Sequence, residues 1–375
     1  MTEFLKAADC VKEARRIVVK VGTSVLTDPR EDRVAQHCVR AVVDEVCALR
    51  RQGKQVLVIT SGAIGVGMRI LGLKGRPREL ARLQAAAATG QGRLMQWYAA
   101  QFEQQGQHAA QVLITRDDLE DPRRYRNARA TLATLLRAGV VPVINENDTV
   151  STEEIRYGDN DVLSAHVAVM MHADLLVILS DVDQFHGPTG LQSVVTEITP
   201  ELERSAGGTT RAVSTGGMRT KLEAAKLALS AGIPILLTNG RREGALVKAV
   251  LRHEFSGTWF LPKKGLRLKG KQRAAVTGRP RGTVWVDSGA REALARRRLS
   301  LLASGVASVE GSFQRGDLVS VSEMGSREEF ARGYANYSNV QLQKIRGLRS
   351  QEIAALLGER AVEVIHRDSL VILRE

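Results

Sequence analysis

Six short apolar runs, rich in β-branched residues, recur through the first 240 positions, and helical periodicity fills the gaps between them. The runs are Ile17-Val18-Val19-Lys20-Val21, Val56-Leu57-Val58-Ile59, Val112-Leu113-Ile114, Val140 to Ile144, Leu175 to Leu179 and Pro234 to Leu237. Apolar runs without polar alternation suit strands buried on both faces, the usual condition of parallel sheets. Between the first two, residues 31–52 place Val34, Cys38, Val42, Val46 and Leu49 on one helical face, and Gly53 ends the pattern. The Ala-rich stretch 79–101 also reads as helix. Strand and helix in alternation predict a mostly parallel α/β sheet covered on both faces.

At 375 residues the chain exceeds one ordinary domain. Its texture changes after Pro262. Residues 263–281 carry eight Lys or Arg and no acid, which predicts a basic linker. Strand-like segments follow at Thr283 to Val286, Leu318 to Val321 and Val362 to Leu373, with helices at 291–298 and 350–357. The expected division is an α/β domain over 1–262 and a small β-rich domain over 282–375. From Lys263 to Glu375 there are 21 Lys or Arg against 12 Asp or Glu, so +9 of the net +13 lies there. Such charge suits an anionic partner, or a solvated basic surface. Aromatics make up only 4%, which argues against stacking on single-stranded nucleic acid through most of the chain. No segment approaches the roughly 20 apolar residues of a membrane helix, and Met1 to Arg16 lacks the apolar core of a signal peptide. Cys10, Cys38 and Cys47 are few, odd in number and without metal spacing, so a reducing cytoplasm and no metal site are expected.

The ends of the apolar runs carry the chemistry. The fourth leads into Asn145-Glu146-Asn147-Asp148, and Gly158-Asp159-Asn160-Asp161 follows ten residues later. Amides and carboxylates at a strand end destabilise unless each finds a partner. They suit a small polar ligand, and open α/β sheets bind ligands outside the carboxyl ends of their strands. Three small-residue loops join them: Gly22-Thr23-Ser24, Ser61-Gly62-Ala63 with Gly65 and Gly67, and Thr215-Gly216-Gly217-Met218. Glycine lets backbone approach an anion, and a following helix offers free N–H groups. Lys20 and Lys221 flank two of these loops. Two ammonium groups and a backbone cradle can stabilise a phosphoryl group in transfer by charge alone. Neither a Walker-type phosphate loop nor a dinucleotide fingerprint occurs, which excludes those classes.

Together these residues resemble the amino acid kinase family, in its branch acting on glutamate. The similarity rests on Val18-Val19-Lys20-Val21-Gly22-Thr23-Ser24, Thr60-Ser61-Gly62-Ala63-Ile64, Leu113-Ile114-Thr115-Arg116, Pro142-Val143-Ile144-Asn145-Glu146-Asn147-Asp148, Gly158-Asp159-Asn160-Asp161 and Thr215 to Lys221. It implies a three-layer sandwich and ATP-dependent phosphorylation, with Mg2+, of the γ-carboxylate of L-glutamate. That reaction opens proline biosynthesis, with proline as feedback inhibitor. It implies catalytic roles for Lys20, Lys221, Asp161 and Asp159, and glutamate binding by Ser61, Asp148, Asn160 and Asn145. It implies ATP binding by Lys20, Ser180, Asp181, Thr215, Gly216, Gly217, Met218, Arg219, Thr220 and Lys221. The tail, with Val286-Asp287-Ser288-Gly289-Ala290, Gly305-Val306 and Phe313 to Asp317, is similar to PUA domains. RNA is the partner this implies, and a homo-oligomer without membrane association is expected. Two alternatives stay open at this point. One is a kinase of the same fold acting on another carboxylate, a carbamate or a nucleotide. The other is an RNA-binding protein with a vestigial kinase domain.

Overall fold

Lys20 sits one residue from the end of a strand whose other side chains are almost all apolar, and the sheet explains where it points. The computed structural model describes residues 2–375 except 29, 31–32, 151–158, 189, 207–216, 263–271, 273–274, 277, 327, 358–361 and 374–375. Its chain divides into two compact units, Met1–Leu266 and Arg267–Glu375.

The first unit is built on β1 (Arg16–Val21), β2 (Gln55–Ile59), β3 (His108–Ile114), β4 (Val140–Glu146), β5 (Leu175–Ser180), β6 (Val194–Val195), β7 (Ile235–Asn239) and β8 (Thr258–Phe260). They form one eight-stranded sheet in the order β6-β8-β7-β5-β1-β2-β4-β3. Every pairing is parallel except β7 with β8. All six expected strands are present. Two short strands, β6 of two residues at the edge and β8 of three beside it, extend the sheet beyond them.

Successive side chains of a strand face opposite sides of the sheet. Ile17, Val19 and Val21 of β1 join Val56 and Val58 of β2 and Leu175, Val177 and Leu179 of β5 in a core with Val39, Val43, Leu94 and Phe102. Those partners come from the helices Gln36–Arg51 and Leu80–Gln104. Val18 and Lys20 therefore face the other side. There the helix Asp159–Met170 follows β4, and Met218–Ser230 packs on Asp159–Met170. Both faces are covered, so the continuous apolar runs have a physical cause.

Local boundaries differ from the periodic reading in three places. The helix expected at 31–52 begins at Gln36, because Arg33–Val34 pairs antiparallel with Thr27–Asp28. Val34 is buried from that hairpin, which its helical spacing imitated. Gly65 and Gly67 lie inside the helix Ala63–Ile70, not in a phosphate loop. A Cβ on Gly67 would stand 1.7 Å from the Ala86 carbonyl oxygen, and one on Gly90 1.8 Å from that of Ala63. These glycines let two helix backbones touch.

The second unit holds five strands: β9 (Gly282–Val286), β10 (Val306–Gly311), β11 (Leu318–Glu323), β12 (Glu329–Tyr334) and β13 (Leu370–Ile372). Their order is β10-β9-β11-β12-β13, antiparallel except for β9 with β11. The expected strand over 362–373 shrinks to β13, and β10 and β12 are strands that periodicity did not single out. Val284, Val286, Leu294, Phe313, Val319, Val321 and Leu342 build its separate core. Most of the expected linker lies outside the described residues.

Candidate functional site

The parallel strands bring their carboxyl ends to one edge of the sheet. Lys20 on β1 and Ile59 on β2 are paired in register, as are Ile59 and Ile144 on β4, and Lys20 and Ile178 on β5. The residues just beyond these positions, Thr60, Ser61, Asn145 and Ser180, therefore gather at one level.

Asp161 is fully buried in the first turn of the helix Asp159–Met170. Its carboxylate faces two lysines: Lys20 Nζ is 2.6 Å from Oδ1, and Lys221 Nζ is 3.2 Å from Oδ2. Thr220 Oγ1 donates to Oδ2 at 2.8 Å. Lys20 and Lys221 are 5% and 6% exposed, so all three charges lie in a largely dry environment. Burial alone would raise the Asp161 carboxyl. The Lys20 and Lys221 ammonium groups reverse that and hold it below the usual carboxylate range. Burial lowers the Lys20 ammonium, against the opposing pull of Asp161. Gly22 leaves room for this arrangement, since a Cβ there would stand 3.2 Å from the Leu179 carbonyl oxygen and 3.5 Å from Lys20 Nζ.

Asn160, the neighbour of Asp161, reaches the other way. Its Nδ2 donates to the Thr60 carbonyl at 3.1 Å, to Ser61 Oγ at 3.0 Å and to Asn145 Oδ1 at 3.0 Å. Asn145 Nδ2 in turn donates to Gln91 Oε1 at 2.8 Å. Asn160 Oδ1 is buried and has no hydrogen-bond partner among the described residues. Gly62, at φ 96°, adopts the left-handed conformation that lets Ser61 turn directly into the helix Ala63–Ile70. Tyr98 and Thr60 share a hydrogen bond of 3.0 Å beneath this turn, and burial raises the Tyr98 phenol.

The structure thus brings together Lys20, Asp161, Thr220 and Lys221, and beside them Ser61, Asn145 and Asn160. Ser180 is buried at the end of β5, where its hydroxyl donates to Asp181 Oδ1 at 3.3 Å, and Asp181 is exposed. Asp148 is half-buried in the turn after β4. Gly217 and Met218 open the helix Met218–Ser230, whereas Arg219 pairs with Glu223 at 3.2 Å on its exposed side. Thr215, Gly216 and the Asp159 side chain lie outside the described residues. Sequence reasoning passed over Gln91 and the Thr60 carbonyl. The signal for Gln91 was a buried amide between Gly90 and Gly92 in an Ala-rich helix.

Chemically, the lysine–aspartate–lysine cluster can neutralise an anion arriving at the sheet edge. The adjacent amides can hold a small polar molecule against it.

The Amino acid kinase family matches residues 15–239 and the PUA domain residues 282–357. Curated relatives align along nearly the whole chain. A glutamate 5-kinase of Geobacter sulfurreducens is 47% identical over 371 residues, covering 97% of this chain and 99% of that protein. One from Moorella thermoacetica is 46% identical over 378 residues, covering 97% of both. One from Geobacter metallireducens is 48% identical over 371 residues, covering 97% and 99%.

Proposed function

The chain belongs to the amino acid kinase family and carries a C-terminal PUA domain, and from that premise we propose that it transfers the γ-phosphoryl group of ATP to the γ-carboxylate of L-glutamate, the substrate named for its curated relatives. A carboxylate oxygen bonds to the γ-phosphorus, the bond from that phosphorus to the β-bridging oxygen breaks, and ADP leaves. The product is L-glutamyl 5-phosphate.

The observation that carries this reading is the buried Lys20–Asp161–Lys221 cluster beside Asn160. In it Lys20 and Lys221 stabilise the charge on the phosphoryl oxygens during transfer, and Asp161 fixes both ammonium groups in place beforehand. Thr220 restrains the same carboxylate. Ser61, Asn145, Asn160 and Asp148 hold glutamate. The unpartnered, buried Asn160 Oδ1 suits a donor on that substrate such as its α-ammonium. Ser180, Asp181 and the segment 215–221 hold ATP, and Asp159 supports the cluster. The described residues gather no trio of His, Cys, Asp or Glu fit for a metal. Mg2+ would be carried on the ATP phosphates, as such ions commonly are.

The same reading makes the reaction the entry to proline biosynthesis, with proline competing for the glutamate pocket. It also makes the protein a cytoplasmic homo-oligomer, with RNA as the class of partner suited to its PUA domain. A substrate panel tests it. ADP release should require L-glutamate and should not rise with L-aspartate, carbamate or nucleoside monophosphates. Release stimulated equally by one of those acceptors would refute the assignment.

A further inference from the structure

Gln91 is a buried amide in the middle of the helix Leu80–Gln104, which covers the face of the sheet away from Lys20. We propose that Gln91 is a positioning residue for substrate selection: by fixing Asn145, it holds the Asn160 side-chain carbonyl toward a hydrogen-bond donor on the acceptor substrate. The inference rests on the glutamate reading above and makes the α-ammonium group that donor.

Helix packing brings Gln91 to the site. A Cβ on Gly90 would stand 1.8 Å from the Ala63 carbonyl oxygen, so the backbone beside Gln91 touches the helix that follows Ser61 and Gly62. Leu94, Tyr98 and Phe102 continue the same buried side of the helix into the core that holds Val58 and Val143. Side chains alternate along a strand, so Asn145 faces the same way as Val143. There its Nδ2 donates to Gln91 Oε1 at 2.8 Å.

The polarity of these amides is set by backbone groups that cannot reverse. Glu146 N–H donates to Asn145 Oδ1 at 2.9 Å, so the Asn145 oxygen faces that way and its nitrogen faces Gln91. Asn145 Oδ1 also accepts from Asn160 Nδ2, whose hydrogens are shared with the Thr60 carbonyl and Ser61 Oγ. These acceptors commit the Asn160 nitrogen and leave its Oδ1 buried without a partner. Such an acceptor rewards a ligand that brings a donor and penalises one that brings none.

Asn145 is 2% exposed, so water does not stand in for Gln91. Without the Gln91 oxygen, Asn145 Nδ2 becomes a buried donor lacking an acceptor, and the side chain gains by turning away. Asn160 then loses an acceptor that holds its orientation. The Lys20–Asp161–Lys221 cluster lies on the other face of the sheet, so the effect falls on substrate binding and not on the transfer step.

Steady-state ADP release by the full chain tests this with two variants. Gln91→Met keeps the side-chain length and removes the acceptor, whereas Gln91→Glu retains an acceptor oxygen. Gln91→Met should raise the KM for L-glutamate about tenfold, the scale of one unsatisfied buried donor, with kcat and the KM for ATP within about twofold of the parent. Glutarate has both carboxylates of glutamate and no ammonium. The preference for L-glutamate over glutarate in kcat/KM should fall about tenfold in the same variant. Gln91→Glu should recover both properties. In an Asn145→Ala background Gln91→Met should add nothing, because its effect passes through Asn145. Gln91→Ala supplies the same comparison if Gln91→Met does not fold. A merely structural role would lower the melting temperature and leave the KM and the glutarate preference at parental values. That result, or a Gln91→Glu variant no better than Gln91→Met, overturns the proposal. A parent that releases no ADP with L-glutamate refutes the glutamate reading and this inference with it, whereas a glutamate-active parent whose Gln91→Met variant keeps the parental KM refutes the inference alone.

Discussion

Asp161 sits between two buried ammonium groups, so replacing it by Asn removes a carboxylate that both Lys20 and Lys221 pair with. Both lysine side chains are 7% exposed and Asp161 is 0% exposed, so solvent screens this loss little. Removing one partner from such a buried network costs about 3–5 kcal/mol. For a unit of this size each kcal/mol moves the melting temperature by roughly 2–4 °C, which places the Asp161→Asn variant about 6–20 °C below the parent at neutral pH. The effect should depend on pH in one direction. The folded Asp161 carboxyl is held below its ordinary value, so its contribution is fully present above the unfolded pKa of about 3.9 and fades as pH falls through the lower folded value. Melting curves by circular dichroism should therefore separate parent and variant at pH 7, begin to converge below about pH 4 and meet only as pH approaches about 2. A variant that melts within about 2 °C of the parent at pH 7 would mean that the two lysines are not buried against Asp161, and the geometry of the site would have to be abandoned.

Four further outcomes follow from the same structure. Lys20→Ala and Lys221→Ala should each lower turnover about a hundredfold, the equivalent of about 3 kcal/mol of lost transition-state stabilisation, and turnover within a few-fold of the parent would count against their role. Asp148→Ala should chiefly raise the Michaelis constant for L-glutamate in steady-state assays, and a fall in turnover at unchanged Michaelis constant would move Asp148 out of substrate binding. Gly67→Ala should cost about 3 kcal/mol in denaturant unfolding, because its Cβ would stand 1.7 Å from the Ala86 carbonyl oxygen. Unchanged stability would show that the two helices are not in contact there. Truncation after Pro262 should leave an active kinase, since every residue assigned to the site precedes it, and a folded but inactive fragment would give the PUA domain a part in catalysis.

The central sheet was legible because its strands are buried on both faces and announce themselves as uninterrupted apolar runs. The short strands Val194–Val195 and Thr258–Phe260 were not, since two or three residues carry no period and their pairing is decided by tertiary contact. In the second unit, β10 and β12 alternate charged and apolar residues too irregularly to stand out from loops. The site was partly legible for a different reason. Lys20, Asp161 and Lys221 are far apart in the chain, and no periodicity links them. Motif resemblance marked all three, and the topology explains their meeting. Lys20 alternates onto the face covered by Asp159–Met170, and Met218–Ser230 packs beside that helix. The glycines misled where the residue type was ambiguous. Gly62 serves a positive-φ turn at a strand end, whereas Gly67 serves helix packing, and no property of an isolated glycine distinguishes those uses. Gln91 was missed because a lone amide in an Ala-rich helix looks like surface until its partner, Asn145, is placed opposite it.

The central claim is that these residues transfer phosphate to a carboxylate, and trapping the product tests it most directly. With ATP, L-glutamate and hydroxylamine, the chain should form γ-glutamyl hydroxamate in step with ADP, and the Lys20→Ala and Lys221→Ala variants should lose both together. ADP release by the parent chain without hydroxamate, or hydroxamate formation that survives in both lysine variants, would contradict the account.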